Sequence, residues 1–157
     1  MNDQFGKLFV KCRESGNEIA VLPYNETDKY YEIIKTARSN GFKQVIVNSE
    51  IMINLLYTIL GNRGIILKIN MSDNTDDEIK DNIKSIIRSI KKDKLNFVKL
   101  KDELEWATES GSIDINSIEI FITNIKAQIY SNGILFSQNN ETIFNIIKAT
   151  LEEYFNE

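Results

Sequence analysis

The stretch SEIMINLLYTIL, residues 49–60, constrains the fold more than any other. On a helix, Ile51, Met52, Ile53, Leu55, Leu56, Tyr57, Ile59 and Leu60 surround the axis almost completely. Only Glu50, Asn54 and Thr58 form a polar ridge, at four-residue spacing. A helix that is apolar nearly all round must be covered on more than one side. It is therefore either central in the fold or set against another subunit. On the second reading Ile51, Met52, Leu55, Leu56 and Ile59 contact a partner. That partner is another protein or a second copy in a two-fold homodimer, the commonest closed symmetry.

The flanking segments alternate between two periodicities. Residues 5–13 and 18–24 read as strands joined by the turn Glu14-Ser15-Gly16-Asn17, a hairpin. A helix then opens at Asn25 or Thr27, carries Tyr30, Ile33, Ile34 and Ala37 on one face, and stops at Gly41. KQVIV (43–47) and GIILKIN (64–70) read as short buried strands, on either side of the helix capped by Asn48 or Ser49. Ile79, Ile83, Ile86, Ile87 and Ile90 form the clearest helical stripe in the chain. Strands alternating with helices over residues 1–94 predict crossover helices and a partly parallel sheet.

The character changes near 93–112, the one place for a subdomain join. LNFVKLKDELEWATESG fits a helix through Phe97, Leu100, Leu104 and Ala107, and its first part, 96–101, also fits a strand. From Ser112 the pattern has period two, and Ser131-Asn132-Gly133 is a strong hairpin turn. A closing amphipathic helix carries Ile143, Ile147, Leu151 and Tyr154. The expected fold is mixed α/β (α+β) in a single domain, 1–157. It combines a partly parallel sheet over 1–94 with an antiparallel meander and C-terminal helix over 112–157.

Composition removes several chemistries. The 157 residues include no histidine and one cysteine. That excludes an intrachain disulfide, a tetrahedral zinc site and every Ser-His or Cys-His dyad. Cys12 alternates with charged neighbours, which places it on the apolar face of the first strand, buried and unreactive. No apolar run approaches the roughly 20 residues of a spanning helix, and the N-terminus lacks the pattern of a signal peptide. A cytoplasmic location is the expectation.

Three motifs invite a functional reading. ILGNRGIILKIN (59–70) has the glycines of a phosphate loop but runs helix, glycines, strand, the reverse of the order that aims a helix N-terminus at an anion. It reads as a helix end and a turn, with Arg63 on the surface. SDNTDDE (72–78) gathers Asp73, Asp76, Asp77 and Glu78, a hard-cation candidate that lacks the calcium-loop pattern. Acidic residues in a first helical turn are also what the helix dipole favours, so a helix start is expected there. Glu78-Ile79-Lys80 has the letters of a nuclease motif, but the side chains diverge on a helix.

The basic run is the third. Lys80 to Lys101 holds eight Lys or Arg against Asp81 and Asp93. Lys80, Lys84, Arg88 and Lys91 follow i, i+4, i+8, i+11, a ridge beside the isoleucine stripe. Such a ridge suits phosphates or an acidic protein. The net charge of −4 argues against a dedicated nucleic-acid binder. In the carboxyl-end crevice of an open α/β sheet, Tyr24–Asn25, Asn48–Ser49 and Asn70–Asp73 are the residues to watch. Together these features predict a non-enzymatic cytoplasmic protein-interaction module that self-associates, with no cofactor and no catalytic residues. The alternatives are an accessory nucleic-acid or acidic-partner binder using Lys80, Lys84, Arg88 and Lys91, and a magnesium enzyme built on Asp73, Asp76 and Asp77.

Overall fold

Strand β1 (Gln4–Arg13) organises the sheet because three strands pair with it. The computed structural model describes residues 3–24, 30–72, 75–110 and 113–156. β2 (Gly16–Tyr24) folds back on β1 through the expected hairpin, with Phe5 opposite Tyr24 and Arg13 opposite Gly16. The other edge of β1 is shared end to end. Gln4–Lys7 pairs with β7 (Ile134–Ser137), and Phe9–Lys11 pairs with β3 (Phe42–Gln44). β4 (Ile65–Met71), β5 (Ile115–Ile122) and β6 (Ile125–Tyr130) complete the order β2-β1-β7-β6-β5-β4.

The mixed α+β class holds, with an antiparallel meander and a closing helix in the C-terminal half. The parallel component expected over 1–94 does not: every described pairing is antiparallel. The crossover itself is present. β2 and β3 run the same way and are joined by α1 (Tyr30–Ser39), but β1 lies between them and pairs with both. Local periodicity reports that a helix separates two strands, not which strand occupies the gap. The caps expected at Asn25 or Thr27 fall outside the described residues.

Helix α2 (Ser49–Gly61) is central, packed against β4 and β5 and between α4 (Phe97–Glu109) and α5 (Asn140–Phe155). Ile51, Met52, Leu55, Leu56 and Ile59 are each 0–1% exposed. This corrects the partner-facing role expected for these five: the chain's own sheet and helices consume the apolar surface. Asn48 caps the helix, accepting from the Ile51 N–H at 2.9 Å, and Ser49 instead accepts from the Ile115 N–H at 3.2 Å. The polar ridge faces α5, where the Thr58 and Thr150 hydroxyls meet at 2.6 Å.

The core draws on both halves of the chain. Leu8 and Val10 of β1, Ile118, Ile120 and Ile122 of β5, and Ile143, Ile147 and Leu151 of α5 belong to one buried cluster. α3 (Asp77–Lys92) adds Ile83, Ile87 and Ile90, one side of its isoleucine stripe. A 3-10 turn (Lys94–Asn96) links it to α4. Residues 97–109 are helix and not strand, since Phe97, Leu100, Leu104 and Ala107 all reach the core from one face. Among the described residues, no helix is long and apolar enough to cross a membrane.

Two further expectations need correction. Cys12 is exposed. Alternation puts it on the same face as Leu8 and Val10, but beyond Lys11 neither β3 nor β7 pairs with β1, and Cys12 lies opposite Asn17 across the hairpin. The alternating run from 112 also breaks at Thr123–Asn124. Both residues have positive φ, 49° and 63°, as a two-residue hairpin turn between twisted strands requires.

Candidate functional site

The helix-to-strand passage at 59–66 is built by main-chain hydrogen bonds. Asn62 caps α2, Gly64 N–H donates to the Ile59 oxygen at 2.8 Å, and Arg63 N–H donates to the Leu60 oxygen at 3.2 Å. This is the Schellman pattern, with Arg63 at φ 64° in the position that favours glycine. Gly64 is held by packing: a Cβ there would lie 2.5 Å from Ile59 Cγ2 and 2.8 Å from the Ile59 oxygen. The close approach lays β4 directly beside α2. The stretch is thus a helix end followed by a turn, as its order of elements suggested.

β4 is a terminal strand of the sheet. β5 occupies one edge, and no strand among the described residues pairs with the other. The register shifts between Ile66 and Lys68, so Leu67 has no opposite residue on β5. Such a bulge bends the strand and re-aims the extra side chain. Leu67 is 37% exposed and Ile65 is 41% exposed.

α3 packs against β4, and two adjoining clefts lie between helix and strand. One, of about 510 Å³, has an apolar floor of Leu60, Ile65, Ile66 and Ile90, with Lys92 and Lys94 at its rim. The other, of about 250 Å³, is bounded by Ile69, Met71 and Ile83, with Lys68, Lys84 and Arg88 around it. Leu67, Ile87 and Lys91 line both, which makes the two clefts one groove. Among the described residues, no carboxylate and no aromatic residue lines either part.

The groove gathers most of the basic ridge read from the sequence. Lys84, Arg88 and Lys91 line it, whereas Lys80 is half-buried and lines neither cleft. None of Lys68, Lys84, Arg88, Lys91, Lys92 and Lys94 has an ion-pair partner among the described residues, where the pairs are Arg13–Glu18, Lys101–Glu105 and Lys148–Glu152. Sequence reasoning missed the other wall. Ile65 and Leu67 look like ordinary residues of a buried strand, and only the strand order shows that β4 ends the sheet.

The acidic segment is a helix start. Asp76 caps α3, its carboxylate accepting from the Glu78 N–H at 2.8 Å, and Thr75 is buried with its hydroxyl 3.0 Å from that of Ser72. Asp77 and Glu78 occupy the first turn. Asp73 lies outside the described residues. Among those described, no group of three Asp, Glu or Cys is placed to hold a metal ion.

The strand-end residues do not share one edge. β4 runs opposite to β2 and β3, so Asn70 lies at the other end of the sheet from Tyr24 and Asn48. Asn70 instead donates to Ser117 Oγ at 2.8 Å and to Glu119 Oε2 at 3.1 Å, a cross-strand polar network. Asn25 lies outside the described residues.

Two other clefts are less selective. A groove of about 300 Å³ between α2 and α5 is lined by Glu50, Asn54, Thr58, Thr150 and Glu153 among others. A cleft of about 580 Å³ over β1, β2 and the start of α5 mixes Glu18 and Glu141 with Lys148, which already pairs with Glu152. Neither combines an open main-chain edge with charge of one sign. Comparison with known proteins finds no match to any protein family, any curated protein or any solved structure.

Proposed function

We propose that this chain is a non-enzymatic protein-interaction module whose contact surface is the groove between β4 and α3. The observation that carries the reading is the edge of β4 that no described strand pairs with, where the partly exposed Ile65 and Leu67 line the groove. An open edge presents a row of N–H and C=O groups that another chain can pair with. Completing the burial of each exposed side chain stabilises a complex by on the order of 1 kcal/mol. The bulge at Leu67 and the charge of Lys68 protect against indiscriminate pairing, as edge strands of natural sheets do.

A selection from a random peptide library on the folded chain tests the proposal. Recovered peptides should shift the amide resonances of β4 and α3 and leave those of α1 in place. Leu67→Asp, a substitution at a partly exposed position, should keep the fold and weaken these peptides about tenfold or more. Peptides that bind Leu67→Asp as tightly as wild type, or that shift only distant resonances, would show that the contact surface lies elsewhere.

A further inference from the structure

We infer that the groove takes an extended acidic segment of another protein, which joins the sheet as an added strand on β4. The inference rests on the reading of this groove as a contact surface and specifies what occupies it.

Among the described residues β4 is paired on one side only, and α3 packs against β4 without strand pairing. An extended backbone is the ligand whose donors and acceptors repeat at the same interval as those of a strand edge. Alternate side chains of such a ligand would reach the apolar floor at Ile65, Leu67 and Ile87.

Six basic side chains, Lys68, Lys84, Arg88, Lys91, Lys92 and Lys94, surround a groove that no carboxylate among the described residues lines, in a chain whose net charge is −4. The positive field is therefore local. From Lys84 to Lys91 the helix rises roughly 10 Å, at about 1.5 Å per residue. Same-side residues of a strand are about 6.8 Å apart, so acidic residues at alternate positions span that ridge within two or three side chains.

The same features decide against other occupants. A second copy pairing edge to edge would bring its own basic ridge against this one, and directly opposed like charges destabilise a strand pair. A nucleic acid would match the charge but not the main-chain edge, and among the described residues no aromatic side chain lines the groove for a base to stack on.

The test uses the full chain and four labelled peptides of about ten residues, a length suited to strand addition. They alternate valine with glutamate, valine with glutamine, valine with lysine, and valine with glutamate carrying N-methyl groups on alternate amides. The glutamate peptide should bind, shift β4 and α3 amide resonances, and weaken by about tenfold or more between roughly 50 and 300 mM sodium chloride. Reversing Lys84→Glu and Arg88→Glu should leave the circular dichroism spectrum unchanged, abolish that binding and let the lysine peptide bind instead. N-methylation should remove binding by blocking the strand hydrogen bonds. Equal affinity for glutamate and glutamine peptides would overturn the acidic specificity while leaving the groove as a contact surface. Equal affinity for the N-methylated peptide would overturn strand addition. Tighter binding of a single-stranded oligonucleotide, or a dimer in light scattering that Leu67→Asp dissolves, would replace the acidic segment with that occupant. If no peptide shifts β4 or α3, the inference and the reading of the groove fall together.

Discussion

Lys7 Nζ lies against the main-chain oxygen of Asn132, in the notch where β1 changes partner from β7 to β3. It also faces the Val45 oxygen at 3.4 Å, and the side chain is fully buried. Burial pushes the ammonium down to about 8. The unfolded chain holds this proton up to the ordinary lysine value of about 10.4. Between those values the unfolded state binds more protons, so stability rises with pH. The rise should be on the order of 1–2 kcal/mol from about pH 7 to 9.5. Above about pH 10 Tyr30 and Tyr130, raised mainly by burial, act in the opposite sense. Urea midpoints of wild type and Lys7→Met across this range measure the effect. A wild-type profile parallel to that of Lys7→Met would show that the ammonium is not desolvated in the folded state.

Gly133 closes the same notch. Its φ is 81°, and a Cβ there would lie 2.3 Å from the Val45 oxygen and 2.8 Å from Lys7 Nζ. The Val45 carbonyl cannot easily yield, because hydrogen bonds hold the chain on both sides of it, from the Val45 N–H to the Leu8 oxygen at 3.2 Å and from the Val47 N–H to the Ser131 oxygen at 2.8 Å. Gly133→Ala should therefore destabilise by about 2–4 kcal/mol, combining backbone strain with overpacking. A loss under about 0.5 kcal/mol in denaturant melts, the range of an uninvolved surface site, would contradict this packing.

What the sequence revealed and concealed follows from the range of each interaction. The cap at Asn48 or Ser49, the helix start within 72–78 and the Ser131-Asn132-Gly133 turn depend on a few neighbouring residues each, and the structure places a helix start or turn at all three. The position of β1 between β2 and β3 depends on partners far apart in the chain, and no local pattern carries it. Thr123–Asn124 hid inside a period-two run because neither residue is glycine. Half of the candidate site was legible as the spacing of Lys84, Arg88 and Lys91. The other half was not, because the end of a sheet is a property of strand order.

Arg63 offers a stabilising substitution. It stands in the left-handed position after α2, with φ 64°, and its side chain has no hydrogen bond or ion pair among the described residues. Glycine adopts that conformation without the Cβ clash but loses more freedom on folding. Arg63→Gly should raise stability by up to about 1 kcal/mol, visible as a higher melting temperature. A lower melting temperature would mean that the arginine side chain contributes more than its backbone costs.

Cys12 should react with a thiol reagent in the native protein nearly as fast as in the unfolded chain. It is exposed at the end of the first hairpin, past the last β3 pairing at Lys11. Cys12→Ser should accordingly change stability by less than about 0.5 kcal/mol. Strong protection of the native thiol would show that the end of β1 is covered.

The start of α3 separates a helix cap from a cation site. The Asp76 carboxylate accepts from the Glu78 N–H at 2.8 Å, and Asp77 and Glu78 sit in the turn that the positive end of the helix dipole favours. Asp76→Ala removes the acceptor and should cost about 0.5–2 kcal/mol. Asp76→Asn keeps a side-chain oxygen for the same N–H and loses only the charge, so its cost should be smaller, about 0.3–1 kcal/mol. Both costs should be the same with and without millimolar magnesium or calcium. A cation bound to the folded state would instead add stability as RT ln(1 + [L]/Kd), and both substitutions would reduce that increment. Thermal melts of the three proteins in metal and in chelator decide it. A rise of several degrees for wild type alone would make this segment a metal site.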